Sequence, residues 1–230
     1  MTPSHQYPLG TIMTAPRRLQ LLAWARRRGA WLIEDDYDSE YRYDSLPIAA
    51  LQGLDPDDRV VYIGTFSKVL FPALRLGYVV LPRDLVARVR RIREAMDNSP
   101  APFFQVVLHD FIREGHYARH LRRMRVVYGE RRRTLVGALE RELGDTVLIG
   151  GDRAGLHVVV LLPPGARDRD VALAAAERGL AVTPLSSCYA TRAGANRPGL
   201  LVGYGVTSTR ELPDAVRRLA HVLAQSARRR

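Results

Sequence analysis

Apolar and polar residues along the first part of the chain follow patterns that change from helical to extended. Residues 15–29 place apolar side chains three and four positions apart and end at Gly29, which predicts an amphipathic helix with a glycine C-cap. Three short apolar runs follow, at 30–33, 60–64 and 76–81, and each passes into polar residues. Such runs, separated by helices or long loops, predict the strands of an α/β sheet that is mostly parallel.

The rest of the chain is predicted to contain long helices followed by a smaller mixed unit. Its helical pattern is interrupted over 99–102 and bends near Gly115. We place a domain boundary within the second helical stretch, which gives a first domain over 1–118 and a smaller α+β domain over 119–230. The predicted helices are 83–97, 103–143, 168–178 and 209–225, and the predicted strands of the smaller domain are 146–149, 156–162, 180–183 and 200–204.

Composition is that of an ordinary soluble globular protein. Of the 230 residues, 47% are apolar and 26% are charged. No run of about 18 apolar residues occurs, and the first ten residues lack the basic and apolar regions of a secretory signal. The single cysteine excludes an internal disulfide, so we expect a cytoplasmic protein. Metal-ligand spacing is absent around four residues that are therefore expected to be structural: His5, His109, His157 and Cys188.

The formal net charge of +11 makes a nucleic acid a candidate partner. The arginines, however, are spread over several helical stretches and alternate there with Leu, Val or Ala, which is typical of solvated helix faces. Neither zinc-finger spacing nor an aromatic and basic RNA-binding motif occurs in the sequence. Solvated faces are the favoured interpretation. An arginine-rich nucleic-acid-binding domain stays open as an alternative that predicts strongly salt-dependent DNA binding.

A single lysine, Lys68, stands among 35 Lys and Arg residues. Lysine can lose a proton and form a Schiff base, which arginine cannot, so its survival in an arginine-rich chain favours a chemical role. The hydroxyls of Thr65 and Ser67 and the guanidinium of Arg75 form a set that is suited to a phosphate group. These residues and an acidic cluster both follow predicted strands, and the carboxyl ends of parallel strands face one crevice.

The acidic cluster supplies the remaining groups that a pyridoxal 5′-phosphate site needs. The carboxylate of Asp35 could keep a pyridine nitrogen protonated, and the hydroxyl of Tyr37 could bond to the ring phenol oxygen. Each of these polar residues also has a structural alternative, since short polar side chains cap helices and shape turns. Their coincidence around one lysine favours the cofactor site over chance.

Three stretches carry a resemblance to a known family: SHQYPLG at 4–10, EDDYDSEYRY at 34–43 and GTFSKVLFPALRLGY at 64–78. They resemble the motifs of fold-type I aminotransferases and, more closely, those of the aminotransferase-like domain of MocR regulators, a branch of the GntR family. The resemblance runs along nearly the whole chain. It implies an α/β fold in which part of a large cofactor-binding domain, with a mixed and mostly parallel sheet, precedes a small α+β C-terminal domain.

Carried over position by position, the resemblance implies that the chain binds pyridoxal 5′-phosphate. Lys68 would hold the cofactor as an aldimine, Asp35 would pair with the pyridinium nitrogen, and Tyr37 would contact the phenol oxygen. Tyr7 stands where ordinary aminotransferases often have an asparagine that faces the same oxygen. The phosphate would be held by Thr65, Ser67 and Arg75.

Two departures from the aminotransferase pattern favour a sensor over an efficient enzyme. The late strand that often carries a carboxylate-binding arginine has the sequence GLLVGYG here, which leaves Arg192 or Arg197 in the preceding loop as substitutes. Without a bidentate guanidinium clamp an amino-acid substrate is poorly oriented. In addition, Asp35 and Tyr37 are two positions apart, whereas many aminotransferases space these residues three apart.

A MocR regulator begins with a winged helix-turn-helix domain, and its aminotransferase-like domain begins with a glycine-rich phosphate loop. Neither occurs in this sequence, so we expect the chain to be the C-terminal half of an effector-sensing domain. The resemblance implies a homodimer, a small amine or amino-acid effector, and DNA contact only through the N-terminal domain, without a membrane partner. The alternative is part of a plain class I/II aminotransferase, in which Lys68 also shuttles a proton.

Overall fold

The computed structural model describes residues 1–43, 48–97, 102–190 and 197–228. The chain divides into two compact units. The first contains Met1–Gln6 and Thr11–Met124, and the second contains Tyr7–Gly10 and Arg125–Arg230. Among the helices of the described ranges, none is both long enough and apolar enough to cross a membrane.

The first unit is built on a three-stranded mixed sheet in the order β1–β2–β3. Strand β1 pairs in parallel with β2, whereas β3 returns antiparallel to β2. The connection over 66–76 contains only a short 3-10 turn, and a parallel return needs a longer crossover. The elements of this unit are α1 (Ala15–Arg28), β1 (Leu32–Asp36), α2 (Leu51–Leu54), β2 (Val60–Thr65), β3 (Gly77–Val80), α3 (Arg83–Asp97), α4 (Pro102–Arg113) and the first part of α5 (His116–Leu143).

Helix α1 packs on one face of this sheet. Its buried residues Leu22 and Ala25 share a core cluster with Leu32 of β1, Leu51 of α2 and Val60 of β2. The helix ends where the backbone of Gly29 takes the left-handed conformation, which confirms the helix and the glycine cap predicted from the sequence.

The bounds predicted for the first strand were wrong. Strand β1 begins at Leu32, two residues later than expected, and continues through the acids to Asp36. Burial alternates along it, so that Glu34 and Asp36 lie on the covered face together with Leu32, and Asp35 lies on the open face. Acidic residues extend the strand because their buried carboxylates are hydrogen-bonded, as described below for Asp36.

The predicted long helices are confirmed. Helix α3 has the predicted bounds, and the expected bend separates α4 from α5 at Gly115, whose φ of 77° lies in the left-handed region. The break predicted over 99–102 falls mostly on residues 98–101, which are outside the described residues; α4 begins at Pro102.

The second unit contains a four-stranded antiparallel sheet in the order β4–β5–β7–β6. Strand β7 lies inside it, and its side chains are buried from Leu200 to Val202. The carboxylate of Asp168 accepts the backbone N–H groups of Ser186 and Gly199, at 2.8 and 3.2 Å. The elements of this unit, besides the end of α5, are β4 (Leu148–Gly150), β5 (His157–Leu161), α6 (Asp168–Ala176), β6 (Thr183–Pro184), β7 (Gly199–Gly203) and α7 (Leu212–Arg228).

Candidate functional site

The carboxyl ends of β1 and β2 lie level with each other. Asp35 is opposite Ile63 and Asp36 is opposite Gly64 in the parallel register. Side chains alternate between the two faces of a strand, and Asp35 is exposed on the face that α1 leaves open. Its backbone N–H donates to the carbonyl of Met1 at 2.8 Å, and its exposed side chain places a carboxylate on the open face.

The single lysine lies on a tight turn that follows β2. The N–H of Ser67 donates to Thr65 Oγ1 at 3.2 Å, and the Thr65 hydroxyl donates to the carbonyl of Leu76 at 3.5 Å. Lys68, the residue that follows Ser67 on this turn, is exposed. Arg75 is also exposed, two residues before β3, which begins opposite Thr65. The structure therefore brings both hydroxyls, the amine and the guanidinium to one connection at the end of β2.

This turn is held in place by two side chains that were not predicted from the sequence. The carbonyl of Val69, the residue after Lys68, accepts the Tyr41 hydroxyl at 3.1 Å and His120 Nε2 at 2.9 Å. Tyr41 is fully buried and Val69 is 2% exposed. Tyr41 belongs to the EDDYDSEYRY motif, so its position in that motif was a usable signal. His120 lies on α5, 51 residues from Val69 in the sequence.

The second acid of the cluster has a structural role on the covered face. Asp36 accepts the Tyr62 hydroxyl at 2.9 Å and the Ser39 hydroxyl at 2.7 Å. Burial, followed by the charge of Asp36, raises the pKa of Tyr62, so this phenol keeps its proton.

The ring of Tyr78 lies over Gly64, where a Cβ would come within 3 Å of the ring. A side chain at position 64 would displace that ring from the strand.

Tyr37 lies at the end of β1 beside a buried histidine. Its hydroxyl donates to the carbonyl of His5 at 3.2 Å. His5 Nδ1 in turn lies 2.9 Å from Asp38 Oδ2. Tyr37 is half-buried, whereas His5 and Asp38 are almost fully buried.

Tyr7, the seventh predicted site residue, belongs to the second unit, whereas the other six belong to the first. It precedes a cis peptide bond to Pro8, and its ring lies edge-on to His157 with centroids 6.0 Å apart. The thiol of Cys188 donates to its hydroxyl at 3.9 Å, and partial burial together with this contact raises the pKa of Tyr7.

The donor set of the first unit fits a phosphorylated pyridine aldehyde. An exposed carboxylate, an exposed primary amine, two hydroxyls and a guanidinium are carried by strand ends and turns at one edge of a sheet. Within the described ranges, no three His, Cys, Asp or Glu side chains are grouped as a metal site would require.

Comparison with known proteins agrees with this chemistry. The family model "Aminotransferase class I and II" matches residues 2–219. The chain belongs to this family. Its solved relatives include LysN, the alpha-aminoadipate aminotransferase of Thermus thermophilus, complexed with N-(5′-phosphopyridoxyl)-L-leucine; the TM-score is 0.91 at 27% identity, over 100% of this chain and 59% of that one. The Pyrococcus horikoshii kynurenine aminotransferase, in complex with PMP, gives a TM-score of 0.90 at 28% identity, over 98% of this chain and 55% of that one. The predicted fold class is therefore confirmed.

Curated relatives of this aminotransferase-family chain include regulators. It is 41% identical over 218 residues to the uncharacterized HTH-type transcriptional regulator YhdI of Bacillus subtilis, covering 95% of this chain and 46% of the relative. It is 43% identical over 186 residues to the probable rhizopine catabolism regulatory protein MocR of Rhizobium meliloti, covering 81% and 38%. The chain spans less than half the length of these two relatives, and the resemblance to MocR regulators is confirmed.

Proposed function

We propose that this chain is the pyridoxal 5′-phosphate-binding, effector-sensing part of a MocR-type transcription regulator. The observation that carries the proposal is the position of Lys68, the single lysine, on the turn that also bears Thr65, Ser67 and Arg75. Family membership and relatives complexed with pyridoxal derivatives support use of this cofactor.

Each residue has a distinct role in this proposal. Lys68 Nζ binds the cofactor, Asp35 holds a proton on its ring nitrogen, and Tyr37 contacts its ring oxygen. The hydroxyls of Thr65 and Ser67 and the guanidinium of Arg75 bind the phosphate. Pyridoxal phosphate supplies an aldehyde that condenses reversibly with amines with loss of water, so an incoming amine can compete with Lys68 for it.

The second unit favours sensing over turnover. Its inner strand β7 has the sequence GLLVG, of which the first four residues are buried, and it offers no guanidinium for a substrate carboxylate. Arg197 is exposed, and Arg192, the other candidate substitute, lies outside the described residues. Without a bidentate clamp the Cα–H bond of an amino acid is poorly aligned for proton transfer. An amine that only exchanges with Lys68 needs no such alignment.

In the complete regulator, we propose, the effector is a small amine or amino acid, and DNA is bound by a separate helix-turn-helix domain. The names of the regulator relatives support the DNA-binding role. A ligand can shift a regulator between two states only if it binds them with different affinity, and reversible exchange at Lys68 supplies such a difference. We expect this regulator to act as a homodimer in the cytoplasm.

The first experiment is an absorption spectrum of the purified chain with added pyridoxal phosphate, compared with Lys68→Arg and Lys68→Ala. We expect a protein-bound yellow band for the wild type alone, since arginine keeps the charge but cannot condense with an aldehyde. Borohydride reduction and peptide mapping locate the label. Only one lysine and the N-terminal amine are available, so label confined to the N-terminus in folded protein contradicts the proposal.

Two further measurements separate the alternatives. A plain aminotransferase would convert the yellow band on addition of an amino acid and release the matching keto acid; a sensor shifts the band without keto acid. An arginine-rich nucleic-acid-binding domain would retain DNA with a steep salt dependence. Absence of DNA binding by this chain even at about 0.05 M salt, where the attraction to phosphates is strong, excludes that alternative.

A further inference from the structure

His5 and Asp38 form a buried pair in the first unit. His5 Nδ1 lies 2.9 Å from Asp38 Oδ2, and the two residues are 1% and 2% exposed. A carboxylate oxygen accepts hydrogen bonds, so we assign the proton of this contact to Nδ1. Such a buried polar pair contributes little net stability, and its more distinctive effect is to fix one local arrangement.

The arrangement that this pair fixes involves Tyr37. The Tyr37 hydroxyl oxygen is 3.4 Å from His5 Nδ1 and 3.2 Å from the His5 carbonyl oxygen. Because the proton on Nδ1 is directed to Asp38, that nitrogen cannot accept the hydroxyl proton of Tyr37. The carbonyl of His5 accepts it instead. The orientation of the Tyr37 phenol therefore depends on both members of the pair.

We propose that His5 and Asp38 are positioning residues for Tyr37. The inference rests on the proposed function, in which Tyr37 contacts the ring oxygen of pyridoxal phosphate; because its proton goes to His5, the Tyr37 oxygen would accept this hydrogen bond from the ring hydroxyl. Asp38 holds the imidazole, and the ring and carbonyl of His5 hold the phenol at the end of β1. Asp38 directly follows Tyr37 in the chain, whereas His5 comes from a segment 32 residues earlier, so the pair also fixes that segment against the strand end.

The discriminating substitutions are His5→Asn and His5→Gln. An asparagine amide nitrogen occupies nearly the position of Nδ1 and can donate to Asp38, whereas a glutamine nitrogen occupies the position of Nε2. The first readout needs no cofactor: NMR of the chain with ¹³Cζ-labelled tyrosine, in which Tyr37→Phe identifies the Tyr37 resonance. We expect His5→Gln to shift that resonance and His5→Asn to leave it near the wild-type position. The other tyrosine resonances report whether each variant is folded.

The second readout is the dissociation constant for pyridoxal phosphate in a double-mutant cycle. His5→Gln should weaken binding about 3- to 10-fold, the effect of one ordinary hydrogen bond. In the Tyr37→Phe background the same substitution should have no further effect. An equal loss in both backgrounds would show a merely structural role and overturn the proposal.

These measurements distinguish failure of the proposed function from failure of the positioning role. If the wild-type chain binds no cofactor, the proposed function fails, and the Tyr37 resonance alone decides on the positioning role: a shift in His5→Gln supports it and an unchanged resonance overturns it. If His5→Gln does not fold, ¹⁵N NMR of the wild-type imidazole decides. The proposal requires a proton on Nδ1 of His5, and an unprotonated Nδ1 contradicts it.

Discussion

Replacing the buried guanidinium of Arg18 tests how the site-bearing strand is held. Arg18 and Glu34 are both fully buried, and Arg18 Nη1 lies 3.7 Å from Glu34 Oε1. The carboxylate of Glu34 also accepts the backbone N–H groups of Leu51 and Gln52, each at 3.0 Å. Arg18→Met would keep the aliphatic volume and leave that carboxylate buried without its cation.

The expected loss of stability is large because Arg18→Met removes one partner of a buried ion pair and leaves the other in place. Removing one partner of a buried ion pair costs about 3–5 kcal/mol, since the other charge stays desolvated. Arg18 also donates to the carbonyls of Met13 and Ala49, both at 3.1 Å, and these acceptors lose their donor. We therefore expect Arg18→Met to lower the free energy of unfolding at pH 7.5 by at least about 3 kcal/mol.

The pH dependence of this cost has a definite sign. Burial already raises the pKa of Glu34, and Arg18 is one of the groups that lower it, so Arg18→Met raises that pKa further. A carboxyl group with a raised pKa in the folded state contributes stability that is present at low pH and lost as the pH rises through that pKa. The deficit of Arg18→Met should therefore shrink between pH 7.5 and pH 5.5.

Urea unfolding of the chain at both pH values measures these effects, and Arg17→Met is the matched control. Arg17 is the neighbouring, exposed arginine of α1, and its replacement should cost less than about 0.5 kcal/mol. The double variant Arg18→Met, Glu34→Gln should recover part of the loss, because no uncompensated charge stays buried. Equal costs for the two arginines, or strict additivity with Glu34→Gln, would refute the reasoning.

Three further changes have expected outcomes. Gly29→Ala should lower the free energy of unfolding by about 1 kcal/mol, because φ is +60° there, although a Cβ would meet nothing within 4 Å. The control Gly137→Ala, equally open inside α5, should instead raise the free energy of unfolding by about 0.5–1 kcal/mol. A change of the same sign for both variants in urea unfolding would contradict this reasoning. Arg75→Gly should raise stability by about 1 kcal/mol by removing a left-handed non-glycine residue, yet weaken pyridoxal phosphate binding at least about 10-fold in a spectroscopic titration. Tyr62→Phe should cost about 1–3 kcal/mol in urea unfolding, because the buried Asp36 carboxylate loses a donor; a neutral result would show that water replaces it.

Local periodicity was sufficient to predict the long helices and most strands. The pattern over 83–97 depends on residues within a few positions of each other, and α3 has those bounds. The end of β1 depends instead on distant partners. A strand that runs through Glu34 is possible only because Arg18 from α1 and the N–H groups of α2 meet its carboxylate. Those partners are 16 or more positions away in the sequence, so no local pattern contains them.

The candidate site was predictable where its groups are contiguous. The turn around Lys68 carries four of the predicted residues on one connection, and a linear motif contains all of them. The contacts that hold the turn and Tyr37 in place come from elsewhere in the chain: His120 from α5 and His5 from the N-terminal segment. A histidine without metal-ligand spacing is expected from the sequence to be structural, and only its neighbours in space indicate more.

Three consecutive acids also show why the register of β1 matters to the site. Glu34, Asp35 and Asp36 have similar chemistry, and alternation along the strand alone separates the exposed carboxylate from the two buried ones. A shift of the strand by one residue would exchange these faces and expose the wrong acids. The register is fixed by Leu32 and Val60, which pack together beneath α1. Apolar packing on the covered face therefore determines which carboxylate can reach a ligand on the open face.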